Sequence, residues 1–173
     1  MQSPGEMKRE IELKFITSDF APIRRQLKRI GAKRTWAGEE KNWYFDTPKT
    51  NLRKKGVTFR LRTAKDHRLT LKANSTHTTF KSVDEYEISV SNAEETKKLL
   101  AYLGFYEWLA YSKTRECWKI RGADITLDTL PFGKFVEIEA SPNQIRSYAG
   151  KLGLSFAKST TKSYIQLLEE HSK

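Results

Sequence analysis

Apolar and charged residues alternate along much of this chain. Ile11, Leu13 and Phe15 interleave with Glu10, Glu12 and Lys14; Phe59 and Leu61 with Arg60 and Arg62; Leu69 and Leu71 with Thr70 and Lys72. Tyr86, Ile88 and Val90 stand beside Glu85 and Glu87, Val136 and Ile138 beside Glu137 and Glu139, and Lys113 and Arg115 fall in a similar segment. A period of two predicts strands with one charged and one apolar face. Ala64-Lys65-Asp66-His67 suits a hairpin between Thr58–Thr63 and Arg68–Lys72, and Gly122-Ala123 splits Lys113–Trp118 from Ile125–Asp128. Asp46-Thr47-Pro48 reads as a turn after Trp43-Tyr44-Phe45.

The period changes to that of a helix shortly after each acidic pair. Phe20, Ile23, Leu27 and Ile30 share a face, with Ser18 or Asp19 as cap and Gly31 as terminator. Helices over 92–103 and 143–152 end at Gly104 and Gly153, and a last one covers 164–170. The polar segment 74–82 reads as a mobile loop. The pattern predicts about eight strands and three or four helices, an α+β fold on an antiparallel sheet.

The size, 173 residues and 20.1 kDa, predicts a single domain over 1–173. A hydrophobic fraction of 38% and a charged fraction of 31% predict a soluble protein, and 1–8 holds no apolar leader core. The lone Cys117 excludes an intrachain disulfide framework and points to a reducing compartment, the cytoplasm. The net charge of +11 calls for a polyanionic partner or a steering role. Much of it sits on Arg24, Arg25, Lys28, Arg29, Lys33 and Arg34. A nucleic-acid surface is not favoured, since no Arg-Gly repeat, zinc-finger spacing or ribonucleoprotein motif accompanies it. No P-loop is present; His67, His77 and His171 read as surface groups, and the four Trp as core.

Same-strand pairs of like charge are the unusual feature, because a merely soluble face intersperses signs. Two unit charges about 4 Å apart repel by roughly 4 kcal/mol at an effective dielectric near 20. If the charged faces share one space, the sheet is a barrel with a polar interior and helices outside. Its inward groups would be the acids Glu10, Glu12, Glu85, Glu87, Asp128, Glu137 and Glu139 and the cations Lys14, Arg60, Arg62, Lys72, Lys113 and Arg115, a net of −1. Two divalent cations would turn this positive and attract a polyphosphate.

Glu10-Ile11-Glu12-Leu13-Lys14 resembles the E-x-E-x-K signature of the CYTH superfamily, the triphosphate tunnel metalloenzymes. The resemblance continues through Tyr44-Phe45-Asp46-Thr47, Arg60-Leu61-Arg62, Leu69-Thr70-Leu71-Lys72, Glu85-Tyr86-Glu87, Lys113-Thr114-Arg115, Leu127-Asp128, Gly133 to Glu139, and Ser163-Tyr164. It implies an eight-stranded antiparallel tunnel binding a triphosphate with Mg²⁺ or Mn²⁺. Glu10, Glu12, Asp128, Glu137 and Glu139 would be metal-side acids. Lys14, Arg60, Arg62, Lys72, Lys113 and Arg115 would grip phosphates, and Glu85 and Glu87 would orient the cations. Glu10, Glu12, Glu85 and Glu87 form the implied catalytic set. Lys162 and Tyr164 lie on a segment that caps the tunnel or packs in its core.

Two departures stand out: Lys81 and Asp84 lie where the family often has an arginine, and the His-Phe element of some class IV adenylyl cyclases is missing. Asn51 to Val57 resembles the triphosphatase side of the family. The implied reaction is hydrolysis of the terminal phosphate of inorganic triphosphate, thiamine triphosphate or a nucleotide. The alternatives are a class IV-type adenylyl cyclase releasing pyrophosphate, and a non-catalytic polyphosphate or nucleic-acid binder. The expected partner is a small triphosphate, with no membrane association, and the protein would be a monomer or homodimer.

Overall fold

The computed structural model describes residues 8–49 and 51–171; most of the segment inspected for a leader lies outside them. The strands are β1 (Lys8–Thr17), β2 (Lys33–Asp46), β3 (Thr58–Thr63), β4 (His67–His77), β5 (Lys81–Val90), β6 (Tyr106–Ile120), β7 (Ala123–Leu130), β8 (Gly133–Ala140) and the short β9 (Ser159–Thr160). The helices are α1 (Ala21–Arg29), α2 (Ala93–Tyr102), α3 (Pro142–Leu152) and α4 (Tyr164–His171). The hydrogen-bonded order is β5-β4-β3-β2-β6-β7-β8-β1-β9, and β5 also pairs with β1, so the order of the eight long strands closes. This is the closed antiparallel barrel of the expected α+β class. Segment 74–82 differs from its reading as a loop: β4 runs to His77 and β5 begins at Lys81.

The chain forms two compact units. The first contains Glu39–Thr76 and Val83–Ser112, the second Glu10–Gly38, His77–Ser82 and Lys113–Lys173. In the second, the apolar alternates Leu13 and Phe15 of β1, Ile125 and Leu127 of β7, and Val136 and Ile138 of β8 join one core with Ile23 and Leu27 of α1 and Ile145, Ala149 and Leu152 of α3. Each fully buried aliphatic side chain there contributes about 1.5–3 kcal/mol. In the first unit, Phe45 and Leu61 pack with Ala93 and Leu100 of α2, flanked by Trp43, Phe59 and Leu69. Helices therefore cover the apolar faces of both units.

The apolar-plus-glycine endings of α1, α2 and α3 are one repeated device. Ala32, Phe105 and Leu154 donate backbone N–H to the carbonyls of Leu27, Leu100 and Ala149, each at 2.9 Å. The intervening Gly31, Gly104 and Gly153 have φ of +82°, +84° and +70°. No atom would lie within 4 Å of an added Cβ, so left-handed backbone, not space, selects glycine.

Asp46 organises the connection from β2 to β3. Its buried carboxylate accepts backbone N–H bonds from Thr47 at 2.7 Å, Leu52, and Arg53 at 3.3 Å. Burial raises its pKa, but these bonds and the Arg53 charge outweigh that and hold it below the ordinary value. A lowered folded-state pKa contributes stability present above the unfolded value and lost as pH falls through the folded one. Asp46→Ala should therefore be less stable than the parent by about 1–3 kcal/mol at neutral pH. In denaturant titrations this gap should shrink as pH falls below about 4.

Candidate active site

The second unit places its charged alternates in cross-strand rows. Asp124 of β7, Glu139 of β8 and Glu12 of β1 face one another in register, and the next row holds Thr126, Glu137 and Lys14. Arg115 of β6 lies opposite Asp128 of β7. Directly opposed residues share a face, so all these side chains project away from the helix-packed core.

Lys14 is 3% exposed and bridges two carboxylates, with Nζ 2.5 Å from Glu12 Oε1 and 2.6 Å from Glu137 Oε2. Burial alone would lower its pKa; Glu12 and Glu137 overcome that and push it up. Lys81 reaches the same Glu12 oxygen at 2.8 Å. Asp128, 0% exposed, is the most enclosed carboxylate. Arg115 grips it as a fork, Nε to Oδ1 and Nη2 to Oδ2, each at 2.6 Å. Lys113 Nζ at 3.2 Å and the Tyr164 hydroxyl at 2.7 Å also donate to Oδ2. Burial raises the Asp128 pKa, but Arg115 and Lys113 outweigh it and hold it at about 2. Tyr164 is buried, with Lys113 Nζ 4.4 Å and Lys14 Nζ 5.1 Å from its ring centre. It belongs to the charged cluster itself. Glu10 is buried and Glu139 half-buried in the same unit.

The first unit has its own cluster. Asn42, Arg62 and Arg68 form one row across β2, β3 and β4, and Tyr44, Arg60 and Thr70 the next. Arg62 is only loosely paired, 3.8 Å from Glu40 Oε2 and 3.6 Å from Glu87 Oε2, and its buried Nε has no partner. Lys72 sits 2.6 Å from Glu85, and Thr70 donates to Glu87 at 3.0 Å. No hydrogen bond or ion pair joins the Arg60 guanidinium to another described residue. Burial would lower its pKa, while Tyr44, Glu40, Tyr111 and Glu85 raise it. The Tyr44 and Tyr111 rings stack beside it, centroids 5.8 Å apart, with their hydroxyls 3.2 Å apart.

The expected site residues thus divide between the units: Glu10, Glu12, Lys14, Lys113, Arg115, Asp128, Glu137 and Glu139 in the second, and Arg60, Arg62, Lys72, Glu85 and Glu87 in the first. Sequence reasoning missed Glu40, Asn42, Tyr111 and Asp124. The first two could have been found, because Glu40, Asn42 and Tyr44 alternate with Trp43 and Phe45 as the other charged strands do. Lys81, noted only as a departure, is a direct partner of Glu12.

The acidic groups supply oxygen donors only, which suits a hard divalent cation. Glu12 and Glu139, in register on adjacent strands, fit such an ion in kind. Among the described residues no three Asp, Glu, His or Cys side chains converge as a metal cage in the present arrangement. Asp128, held by Arg115, Lys113 and Tyr164, is the acid most committed to protein partners.

Removing the Asp128 charge should leave Arg115 and Lys113 uncompensated. Asp128→Asn is expected to lower unfolding free energy by about 3–5 kcal/mol. Tyr164→Phe, which removes one hydrogen bond, should lower it by about 1–3 kcal/mol. Equal, small losses in urea denaturation would contradict this hierarchy.

Comparison with known proteins bears on the family and the fold. The CYTH domain profile matches residues 8–164. A protein of Aeromonas hydrophila named adenylate cyclase CyaB is 26% identical over 174 residues, covering 93% of this chain and 89% of that one. A Vibrio parahaemolyticus structure assigned as an adenylate cyclase superposes with a TM-score of 0.82 at 21% identity, covering 95% of this chain and 99% of its own. A Hippeastrum protein assigned as an adenylyl cyclase, described as having a dominant triphosphatase activity, gives 0.68 at 17% identity, covering 94% and 96%. With paired charges on the opposite strand faces from its helices, and a profile match over nearly its whole length, the chain belongs to the CYTH domain family.

Proposed function

We propose that this protein is a metal-dependent triphosphatase that releases the terminal phosphate of inorganic triphosphate or a small organic triphosphate. The observation that carries this reading is the pair Arg60 and Arg62. Two guanidinium groups share a strand face, one joined to no described residue by hydrogen bond or ion pair and the other held only at 3.6–3.8 Å. Arginine forks with uncommitted donors suit bidentate contact to phosphate oxygens. Lys14, Lys72, Lys113 and Arg115 add cations already positioned by carboxylates.

The reaction places charge on the equatorial oxygens of the transferred phosphoryl group, so positioning and electrostatics provide most of the catalysis. Arg60 and Arg62 hold and orient phosphate oxygens. Lys14 neutralises developing charge while remaining tethered to Glu137. Glu10 or Glu12 accepts the proton of the attacking water as the terminal P–O bond breaks and the diphosphate portion leaves, and Glu85 and Glu87 hold the cationic side chains in place. Glu12 and Glu139 would hold Mg²⁺ or Mn²⁺, with Glu10 nearby in sequence, Glu137 engaged by Lys14 and Arg115, and Asp128 positioning Arg115 and Lys113. When bound, the ion supplies Lewis-acid polarisation of phosphate oxygens. The second reading is cyclisation of ATP, favoured by the name of the Aeromonas relative. The triphosphatase-like stretch Asn51 to Val57 favours hydrolysis, and the triphosphatase activity described for the Hippeastrum protein supports it.

Purified protein should release orthophosphate from inorganic triphosphate, thiamine triphosphate or a nucleotide with Mg²⁺ or Mn²⁺. Cyclic AMP plus pyrophosphate as the products from ATP would reverse the order of the two readings. Arg60→Gln should raise KM by about 10- to 100-fold, and Glu12→Gln should lower kcat by about 100-fold or more while the protein stays folded.

A further inference from the structure

The net charge of +11 is not absorbed by the candidate site, whose cations are largely matched by carboxylates. Part of the excess lies on two helices of the second unit. No Asp or Glu occurs between Asp19 and Glu39, a stretch that contains α1, or between Glu139 and Glu169, which contains α3. These two acid-free segments are more than 100 residues apart, yet α1 packs against α3.

On α1, Ile23 and Leu27 face the core, and the opposite face presents Arg25, Lys28 and Arg29 to solvent. Lys33 and Arg34 continue this exposed series at the start of β2, and Lys151 adds to it from α3. None of these six cations is ion-paired with another described residue. Arg24 is different: Glu116 engages it through Nε and Nη2, which fixes α1 to β6.

An ordinary solvated helix would mix signs, as α2 does. Lys97 and Lys98 there pair with Glu94 and Glu95 at 2.7 and 2.9 Å. On α1 the (i, i+4) neighbours are Arg24 with Lys28 and Arg25 with Arg29, both unfavourable like-charge pairs. Arg24 and Arg25 also lie in the first half of the helix, where its dipole disfavours cations. Local stability alone would not select this composition.

We propose that the α1–α3 layer is a docking surface for the phosphate backbone of duplex nucleic acid. Charge complementarity selects a polyanion, and the remaining chemistry selects among polyanions. No large apolar side chain is exposed on α1 or α3 for insertion into a lipid surface. No exposed aromatic ring on either helix offers the stacking platform that single strands use. What remains is a set of exposed cations suited to phosphates, without groups placed to read bases. The proposal does not depend on the triphosphatase reading, because none of the six cations belongs to the candidate site.

The test is binding of the full chain to labelled random-sequence duplex DNA, followed by fluorescence anisotropy. Six phosphate contacts predict a slope of log K against log salt near −5, or about a thousandfold weakening between about 50 and about 200 mM KCl. Replacing Arg25, Lys28 and Arg29 together by Gln should reduce the magnitude of that slope by about 3. A second set, Lys33→Gln, Arg34→Gln and Lys151→Gln, should act similarly and guards against a folding defect in the first. A charge-matched control at the exposed Lys41, Lys65 and Lys98 should leave the slope nearly unchanged. Lack of duplex binding at low salt would overturn the proposal. So would tighter binding to single strands or anionic vesicles, or an equal effect of the control set. Loss of triphosphatase activity from the parent protein would not bear on it.

Discussion

Buried charge has to be neutralised where it stands, and this requirement governs the second unit. Asp128 has no exposure, so its ionised form survives only because Arg115, Lys113 and Tyr164 converge on it. Those bonds in turn fix two cations and the first residue of α4. Through Arg115 the contact extends to Glu137 at 3.5 Å, then to Lys14 and Glu12. Charges of alternating sign thus form a continuous chain, in which displacing one member disturbs its neighbours.

The first unit handles the same problem more loosely. Its ion pairs around Arg62 lie at 3.6–3.8 Å, and one buried guanidinium nitrogen is unsatisfied. A tightly paired arginine would have to surrender a partner before binding an anion, whereas these have donors to offer. The contrast between a locked cluster and a loosely held one underlies the proposal that Arg60 and Arg62 contact the phosphate oxygens.

Much of the fold was legible because its signals are local. The ends of α1, α2 and α3 followed from apolar-glycine pairs, since a left-handed residue is needed wherever those helices stop. Strand identity followed from alternation. Segment 74–82 was misread because polar residues there lack an apolar alternate to mark a strand, and pairing with neighbouring strands decides its conformation. Helix caps were also less regular than expected: Phe20, not Ser18 or Asp19, occupies the N-cap of α1, although Asp19 Oδ1 still accepts from Ala21 N at 2.9 Å.

The sequence by itself determined which side chains share a strand face, because a spacing of two leaves no alternative once the strand forms. It could not determine which carboxylate meets which cation. Lys81 reaches Glu12 across 69 residues and Tyr164 reaches Asp128 across 36, contacts set by ladder register and chain return. The same limit applies to the outer surface. Each acid-free segment is visible in the sequence, and only the packing of α1 on α3 brings the two together. Periodicity is a property of the backbone, but partnership between charges depends on distances that the tertiary fold alone sets.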